Sequence, residues 1–222
     1  MALDDRQIER YSRQIIAAGF GGAAQERLLG ARLALIAGRG DVEPALAYMA
    51  GAGVGHITLI AGADAAGWAP RIRDLNSDVD FTLADRPPND RDPLLALVAD
   101  AAALAALAAA WTVPRSGFAI IARLDAPARI AIIPPGAGCP RCLGEGLLEP
   151  PRARVEHAGF VAMVAALETL KPLAGIAAVD GAGVAIDFDG VAASMRSLTA
   201  GDRRGAVACG CPRAAQGTPA SR

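Results

Sequence analysis

The sequence has little lysine, no excess of either charge and no long apolar run. Lys171 is the only lysine, and 22 Lys plus Arg residues nearly balance 23 Asp plus Glu residues, giving a formal net charge of −1 over 222 residues. A chain without a basic excess lacks the electrostatic footprint of proteins that wrap nucleic acid or coat an anionic membrane. We therefore expect no nucleic-acid partner and no membrane partner.

The sequence also shows neither the long apolar run of a membrane-spanning helix nor the pattern of a secretory signal. The most apolar run, 101–111, is much shorter than the roughly 20 residues that a membrane-spanning helix needs. Asp4, Asp5 and Arg6 stand where a secretory signal would place its first residues, and no apolar segment follows them, so we expect a cytoplasmic location. In that compartment the four cysteines are not expected to form disulfides. Because 53% of the residues are hydrophobic, most of the chain is expected to be ordered around a core.

One segment has the pattern of a strand–turn–helix–strand unit. Residues 31–37 form a short apolar run typical of a buried parallel strand, a glycine turn follows at 38–40, and a helix is predicted over 42–52. Residues 56–61 predict the next strand. This order within about 30 residues is that of a βαβ unit, and it predicts an α/β fold with a Rossmann-like, doubly wound sheet.

The remaining pattern extends this unit on both sides. Helical spacing of Ile8, Tyr11 and Ile15 predicts an N-terminal helical arm. Further elements are expected as strands at 78–84, 117–123 and 128–133, helices at 93–111 and 156–173, and a strand pair at 184–188 and 194–198. We expect one domain over 1–212, comprising the arm (1–30), a nucleotide-binding-like part (31–133) and a zinc and C-terminal part (134–212), with a disordered tail at 213–222.

The cysteines form two close pairs. Cys139 and Cys142 have CxxC spacing, whereas Cys209 and Cys211 form a tighter CxC. Four thiolates from two loops can bind a structural zinc ion, which would tether the C-terminal strand segment to the rest of the fold. Both pairs stand beside proline or glycine in predicted loops, which favours zinc. Four free thiols, or a redox CxxC, are the alternatives.

The glycine turn stands where a nucleotide-binding βαβ unit has its phosphate loop. Gly38 and Gly40 match that position, and such loops bind phosphate through backbone N–H groups and a helix N-terminus. Asp41 and Glu43, however, place carboxylates at the helix start, where Asp41 is a candidate helix cap. Pro44 removes one N–H donor. An acidic, self-capped loop is expected to repel a triphosphate.

Other candidate residues are better explained by structure than by chemistry. Gly51-Ala-Gly53-Val-Gly55 resembles a glycine motif but lies between a helix and a strand, which favours a helix stop. His56 and His157 are isolated from other potential ligands, and Trp68 and Trp111 are typical core or cover residues. Asp187 and Asp189 alternate around Phe188, as solvent-facing strand positions do.

Several segments together resemble one family. They are Glu9-Arg-Tyr-Ser-Arg-Gln-Ile15, Gly19-Phe-Gly-Gly22, Gln25-Glu-Arg-Leu-Leu-Gly-Ala-Arg32, Ala50-Gly-Ala-Gly-Val-Gly-His-Ile-Thr-Leu59, Arg71-Ile-Arg-Asp-Leu-Asn-Ser-Asp-Val79, Cys139-Pro-Arg-Cys-Leu143 and Ala166-Leu-Glu-Thr-Leu-Lys-Pro-Leu173. With the terminal cysteine pair they run in the same order as in the ThiF/MoeB/HesA family, relatives of the ubiquitin-activating enzymes. The resemblance extends over residues 8–212.

The resemblance implies an α/β fold, a homodimer, and a structural zinc ion on Cys139, Cys142, Cys209 and Cys211. Active members of the family use Mg-ATP to adenylate the C-terminal Gly-Gly of a ubiquitin-like sulfur carrier, in pathways such as thiamin or molybdopterin synthesis. Arg13 matches the family's arginine that reaches the partner subunit's ATP. Gly38 and Gly40 would be remnants of the family's longer glycine-rich phosphate loop.

The chain departs from the family at the nucleotide site. The acidic pair that holds ribose and metal falls at Ala61 and Ala63, with Asp64 one position away. The phosphate-contacting lysine has no counterpart, and only Asp100 lies near the expected metal-binding aspartate. The sequence is therefore that of a degenerate, shortened member, for which we assign no catalytic residue and do not expect tight binding of ATP and Mg²⁺.

Three functions follow from this sequence. The first is a non-catalytic or weakly active protein that binds a ubiquitin-like sulfur carrier or pairs with an active activating enzyme. The expected oligomer is either a homodimer of this chain or a heterodimer with that active homologue. The second is an ATP-dependent adenylyltransferase that uses Arg13, Arg39 and either Arg71 or Arg73 in place of the lost lysine. The third is a cleft remodelled for another small ligand.

Overall fold

The computed structural model describes residues 2–37, 42–60, 67–86, 91–99, 103, 106–107, 117–124, 129–135, 158–179, 184–189 and 192–197. Several predicted site residues lie outside these ranges: Gly38, Gly40, Asp41, Ala61, Ala63, Asp64, Asp100, Trp111, His157 and the four cysteines. The predicted arm is confirmed as three helices, α1 (Asp5–Arg10), α2 (Ser12–Ile15) and α3 (Gly21–Gly30). Asp4 begins α1 with a capping box, in which its carboxylate accepts from the Gln7 N–H at 2.7 Å.

Eight strands form one sheet in the part of the chain that the structure describes. They are β1 (Arg32–Ala37), β2 (His56–Ile60), β3 (Asp80–Leu83), β4 (Leu94–Val98), β5 (Ala119–Arg123), β6 (Arg129–Ile133), β7 (Val184–Asp189) and β8 (Ala192–Ser197). Their order is β3-β2-β1-β4-β5-β6-β7-β8. The first five strands of that order are parallel, and β6, β7 and β8 continue the sheet in antiparallel pairing. The C-terminal strands therefore join the fold through backbone hydrogen bonds to β6.

Three further helices have described bounds, namely α4 (Glu43–Ala52), α5 (Trp68–Leu75) and α6 (Ala158–Leu173). One face of the sheet forms the larger core with α3, α4, α5 and α6, around Leu35, Met49 and Leu59, each fully buried. The other face holds a second core around Leu94, Ala96 and Ile121, against which the helical residues Ala103 and Leu107 pack. Helical residues on both faces confirm the doubly wound α/β prediction.

One predicted element is wrong. The expected helix over 93–111 begins too early, because Leu94–Val98 is strand β4. All five of its residues are buried, and an apolar run of this length does not distinguish a strand from a buried helix segment. Its place between β1 and β5 decides the conformation, since both faces of β4 are covered and both edges are paired.

Within the described ranges, no helix has the length and apolarity needed to cross a membrane.

Candidate functional site

The strand order reverses between β1 and β4, and this reversal locates the expected ligand crevice at the carboxyl ends of these two strands. β1 has β2 on one side and β4 on the other, and the chain crosses the sheet in opposite directions from these two strands. Open α/β sheets bind ligands at such a switch point, outside the carboxyl ends of the strands. Ala37 ends β1 at this edge, and α4 begins beyond it at Glu43. The start of α4 is therefore the position where a phosphate group is bound in nucleotide-binding relatives of this fold.

Helix α4 has no side-chain cap at its N-cap residue. The N-cap is Val42, whose side chain makes no hydrogen bond to the helix, and Asp41, the candidate helix cap, lies outside the described residues. Glu43 and Pro44 occupy the first two helical positions. The carboxylate of Glu43 thus stands at the positive end of the helix dipole, and Pro44 contributes no N–H group there.

The Glu43 carboxylate is held by a neighbouring arginine. Arg71 of α5 donates from Nη2 to Glu43 Oε1, and its guanidinium carbon lies 4.5 Å from the centroid of the Trp68 ring. Trp68 and Arg71 are three residues apart on α5, which puts both side chains on one helix face. The side chains of Glu43 and Arg71 are about half exposed (51% and 56%), so the cluster lies at the mouth of the crevice. The partly buried Trp68 also packs against the larger core, which confirms its predicted role as a cover residue.

Arg13 lies away from this cluster, on the exposed surface of α2. Its chain neighbour Gln14 lines an apolar groove of about 440 Å³ between the arm, α4 and the end of α6. The groove is lined mainly by apolar side chains, among them Phe20, Leu28, Tyr48, Leu167, Leu170 and Ile176. Arg13 itself is exposed and is not among the residues that line the groove, and Gly38 and Gly40 lie outside the described residues.

The groove continues into an exposed apolar stripe on α6. Phe160, Met163 and Leu167 follow one another at helical spacing and are 58%, 42% and 42% exposed. Leu167 belongs both to this stripe and to the groove. Together with Tyr48 and Ile176, also exposed, these residues make one apolar face, which we call the α6 face.

A buried polar network fixes the arm to the rest of the fold. The Tyr11 hydroxyl donates to Asp78 Oδ2 at 3.1 Å and accepts from Asn76 Nδ2 at 2.9 Å. Asn76 also donates to the Ala50 carbonyl at 2.7 Å, and Arg6 donates to Asp78 Oδ1 at 2.8 Å. Burial raises the pKa of Tyr11 above 10.0, and the nearby Asp78 carboxylate raises this pKa further.

The glycines after α4 end the helix, as predicted. Gly53 is in the left-handed region (φ 86°), and a Cβ there would lie 2.8 Å from the Tyr11 ring and from Gln25 Nε2. A Cβ on Gly55 would lie 1.8 Å from the Leu29 carbonyl oxygen. Close approach of the arm therefore requires glycine at both positions.

Three predictions about isolated residues have different outcomes. His56 Nδ1 lies 3.2 Å from Asp80 Oδ2, which fits its predicted structural role. The prediction that Asp187 faces solvent is wrong, because its side chain is only 25% exposed and accepts a hydrogen bond from Arg129 Nε. Among the described residues no group of three or more His, Cys, Asp or Glu side chains could hold a metal ion, and the predicted zinc ligands lie outside them.

Sequence reasoning missed two features of the structure. It did not identify α5 as a helix, so the pairing of Trp68 with Arg71 was not foreseen, although a spacing of three is the relevant signal. It also overlooked Arg123 and Arg129, which flank the connection between β5 and β6 and lie opposite each other in the sheet. Two arginines at equal distance from the centre of a predicted hairpin are the signal for such a pair.

No protein-family model matches the chain. Curated proteins match it in part: the molybdopterin-synthase adenylyltransferase of Salmonella typhimurium (48% identical over 59 residues), the heterocyst protein HesA of Trichormus variabilis (41% over 81 residues) and the SAMP-activating enzyme E1 of Haloferax volcanii (38% over 60 residues). The matched segments cover 26%, 36% and 27% of this chain, respectively. They span only 23%, 28% and 22% of those relatives.

Solved structures resemble the fold over most of the chain. E. coli MccB crystallised with MccA has a TM-score of 0.60 at 16% identity, covering 85% of this chain and 71% of MccB. PaaA has a TM-score of 0.57 at 15% identity, covering 89% of this chain and 84% of PaaA. These likenesses establish the fold. In sequence, the chain is similar over part of its length to proteins of the ThiF/MoeB/HesA type.

Proposed function

We propose that this chain is a non-catalytic or weakly active ThiF/MoeB/HesA-like protein, which pairs with an active activating enzyme or binds a ubiquitin-like sulfur carrier. The observation that carries the proposal is the pairing of Glu43 with Arg71 at the start of α4. A carboxylate of the chain itself occupies the helix end where an ATP phosphate would be bound in an active relative.

The charge at this position argues against a triphosphate. A helix N-terminus carries about half a positive charge and would favour a phosphate, but here the Glu43 carboxylate stands beside it and would repel one. The guanidinium of Arg71 is already held by that carboxylate and by the Trp68 ring. Pro44 offers no N–H group, so the first turn has fewer donors for phosphate oxygens.

The α6 face supports the pairing part of the proposal. An exposed apolar patch of this kind on a protein surface commonly marks an interface. Its occupant is proposed to be a second ThiF/MoeB/HesA-type chain, because Gln14 of the groove is the direct neighbour of Arg13. The family resemblance gives the arginine at that position a role in the partner's nucleotide site, and Arg13 belongs to the same short helix, α2, as Gln14.

Calorimetric titration with Mg-ATP tests the loss of nucleotide binding. The unaltered chain is expected to give no heat of binding up to about millimolar ATP. Glu43→Gln removes the competing charge and is expected to bind ATP more tightly than the unaltered chain. Glu26→Gln, an exposed site on α3, is the matched control and leaves the titration unchanged. Micromolar binding by the unaltered chain would contradict the proposal.

Mixing the chain with an intact activating enzyme tests the pairing. We expect a mixed oligomer by native mass spectrometry, and we expect Phe160→Ser to weaken it at least tenfold. Leu75→Ser is the matched control, since Leu75 is similarly exposed (46%) but lies on α5, away from the α6 face. A chain that forms no oligomer and captures no carrier protein ending in Gly-Gly would refute this part of the proposal.

An active adenylyltransferase is the second candidate function. Two of the curated relatives are named as an activating enzyme and an adenylyltransferase, and Arg71 lies beside the helix start, where its guanidinium would reach a phosphate after leaving Glu43. ATP-dependent pyrophosphate exchange with a carrier protein decides between the two. Exchange that is lost in Arg71→Gln but retained in Arg73→Gln would favour the enzyme.

We also propose the structural zinc ion on Cys139, Cys142, Cys209 and Cys211. The support is the chemistry of the donor set, since two close thiolate pairs from separate segments suit a tetrahedral Cys₄ site. In this function zinc would stabilise the C-terminal part of the fold and would take no part in a reaction.

A further inference from the structure

We propose that the groove between the arm, α4 and the end of α6 is a binding site for a small aliphatic carboxylate. The hydrocarbon chain of the ligand would lie in the groove, and its carboxylate group would pair with the ammonium group of Lys171. Binding of such an acid does not depend on the proposed function, whereas its effect on pairing does.

The groove exists because one side of α4 carries small residues. Ala47, Gly51 and Ala52 line it, and a Cβ added to Gly51 would meet no atom within 4 Å. Ala47 and Gly51 are four residues apart and therefore lie on the same side of the helix. The space that they leave is about 440 Å³. Sites for small molecules have volumes of roughly 300–1,000 Å³, so the groove is large enough for one.

The lining of the groove suits a hydrocarbon chain. Leu28 and Leu170 line it and are only 1% and 9% exposed, so they form its floor. Tyr48, Leu167 and Ile176 also line it but are 42–50% exposed, so they form its rim. A chain in the groove would contact both the floor and the rim, and each CH₂ group that it buries completely would increase affinity about fourfold.

Lys171 gives the groove its charge. It is the one charged residue among the described residues that line the groove. Its Nζ atom donates to Glu168 Oε1 at 2.5 Å, but Glu168 lines a separate cavity of about 100 Å³ that Lys171 also borders. An ammonium group has three N–H donors, and the Lys171 side chain is 40% exposed. A ligand in the groove would therefore meet a cation, which favours a carboxylate over a neutral or cationic group.

A purely structural role for Lys171 is the competing explanation. Lys171 lies in the last turn of α6, where a cation stabilises the negative end of the helix dipole. In that case the groove is an apolar surface without a preference for charge, and acids and amines of equal chain length bind it equally. The two explanations thus differ in the charge of the ligand that the groove selects.

The site would also regulate the proposed pairing. Tyr48, Leu167 and Ile176 belong both to the groove and to the α6 face. A partner subunit seated on that face would cover the groove, so an acid that is already bound should weaken the mixed oligomer. This consequence rests on the proposed function.

Calorimetry with octanoate, octylammonium and hexanoate, at neutral pH and constant ionic strength, tests the proposal. We expect octanoate to bind at one saturable site with a Kd of about 1 mM or lower. Octylammonium should bind at least about tenfold more weakly, because Lys171 repels it. Hexanoate should bind about tenfold more weakly than octanoate, since it lacks two CH₂ groups.

Variants of two lining residues locate the ligand. Gly51→Leu fills the groove from open space, so the chain should fold while octanoate binding is abolished. Lys171→Met keeps the length of the side chain without its charge and should bind octanoate about five- to tenfold more weakly, whereas Lys171→Arg should keep most of the affinity. Arg73→Met is the matched control, because it removes a charge from an exposed site on α5 and should leave octanoate binding unchanged.

Three results would overturn the proposal. Equal affinity for octanoate and octylammonium would show an apolar surface without selection for an acid, and this comparison needs no variant. Unchanged octanoate binding in Gly51→Leu would place the ligand elsewhere. The third is the absence of saturable octanoate binding up to about 10 mM, and sedimentation would then show whether a second copy of the chain covers the groove. If octanoate binds as expected but the chain forms no mixed oligomer with an activating enzyme, only the proposed pairing fails.

Discussion

Replacing Tyr11 by phenylalanine tests how the arm is held to the domain. Tyr11 is 1% exposed, so the ring keeps its packing and the substitution removes only the hydroxyl group. That hydroxyl donates to Asp78 at 3.1 Å and accepts from Asn76 at 2.9 Å. The substitution therefore removes two hydrogen bonds from the buried polar network.

The expected loss of stability follows from the hydrogen bonds that Asp78 and Asn76 lose and from those that they keep. A hydrogen bond to a charged group contributes about 1.5–3 kcal/mol, and Asp78 loses one such bond while it retains Arg6. Asn76 keeps the Ala50 carbonyl but loses one acceptor, at about 1 kcal/mol. We expect Tyr11→Phe to lower the free energy of unfolding by about 3 kcal/mol, which corresponds to roughly 6–12 °C in Tm for a chain of this size.

Urea unfolding of Tyr11→Phe and Tyr48→Phe measures the effect against a matched control. Tyr11 and Tyr48 are the two tyrosines of the chain, and Tyr48 is 42% exposed, so its variant is expected to change stability by less than about 0.5 kcal/mol. If both variants have the same stability, the polar network does not hold the arm and the reasoning is refuted.

Three further predictions concern the helix stop, alkaline pH and the metal. Gly53→Ala should lower the free energy of unfolding by about 2–4 kcal/mol, because a φ of 86° strains an L-residue and the added Cβ would meet the Tyr11 ring. Gly51→Ala is the control in the same urea assay. Gly51 has open space around it, so this substitution should stabilise the helix by about 0.5–1 kcal/mol. The folded state holds the pKa of Tyr11 above that of the unfolded chain, so this contribution to stability is fully present below about pH 10 and is lost as pH rises through the raised pKa. The free energy of unfolding should therefore fall less between about pH 9 and 11 in Tyr11→Phe than in the unaltered chain, and parallel curves would contradict this. Cys142→Ser should abolish bound zinc, measured by atomic emission, and equal zinc content in the variant and the unaltered chain would disprove the Cys₄ site.

The parallel half of the fold was predictable because its signals are local. The apolar runs at β1 and β2, with a helix of suitable length between them, predict a βαβ unit without knowledge of the rest of the chain. Helix α6 was also foreseen, from helical spacing and from its stop at Lys171 and Pro172. The start of β4 was not, since five consecutive apolar residues suit either conformation until the neighbouring strands are known.

The site was less accessible to sequence reasoning because its contacts are distant in the chain. The sequence indicates that a carboxylate stands at the start of α4, but nothing local to Glu43 predicts Arg71 as its partner. The ion pair of Arg129 with Asp187 likewise depends on the register of β6 and β7, and these two residues are far apart in the sequence. Pairings between distant segments are set by tertiary structure, which overrides local patterns such as the alternation around Phe188.

The strand order also has a consequence for how the chain emerges during synthesis. β1 pairs early with β2, but its other edge belongs to β4, and Leu94 is made long after Ala37. At about 5–20 residues per second, that edge waits roughly 3–11 seconds for its partner. For this interval the nascent chain presents the apolar strand edge of Ala34 and Ile36 to its surroundings, which is the type of exposed edge that pairs wrongly with other chains. Slowing translation between β2 and β4 should therefore lower the yield of folded protein, whereas slowing it after β5 should have much less effect.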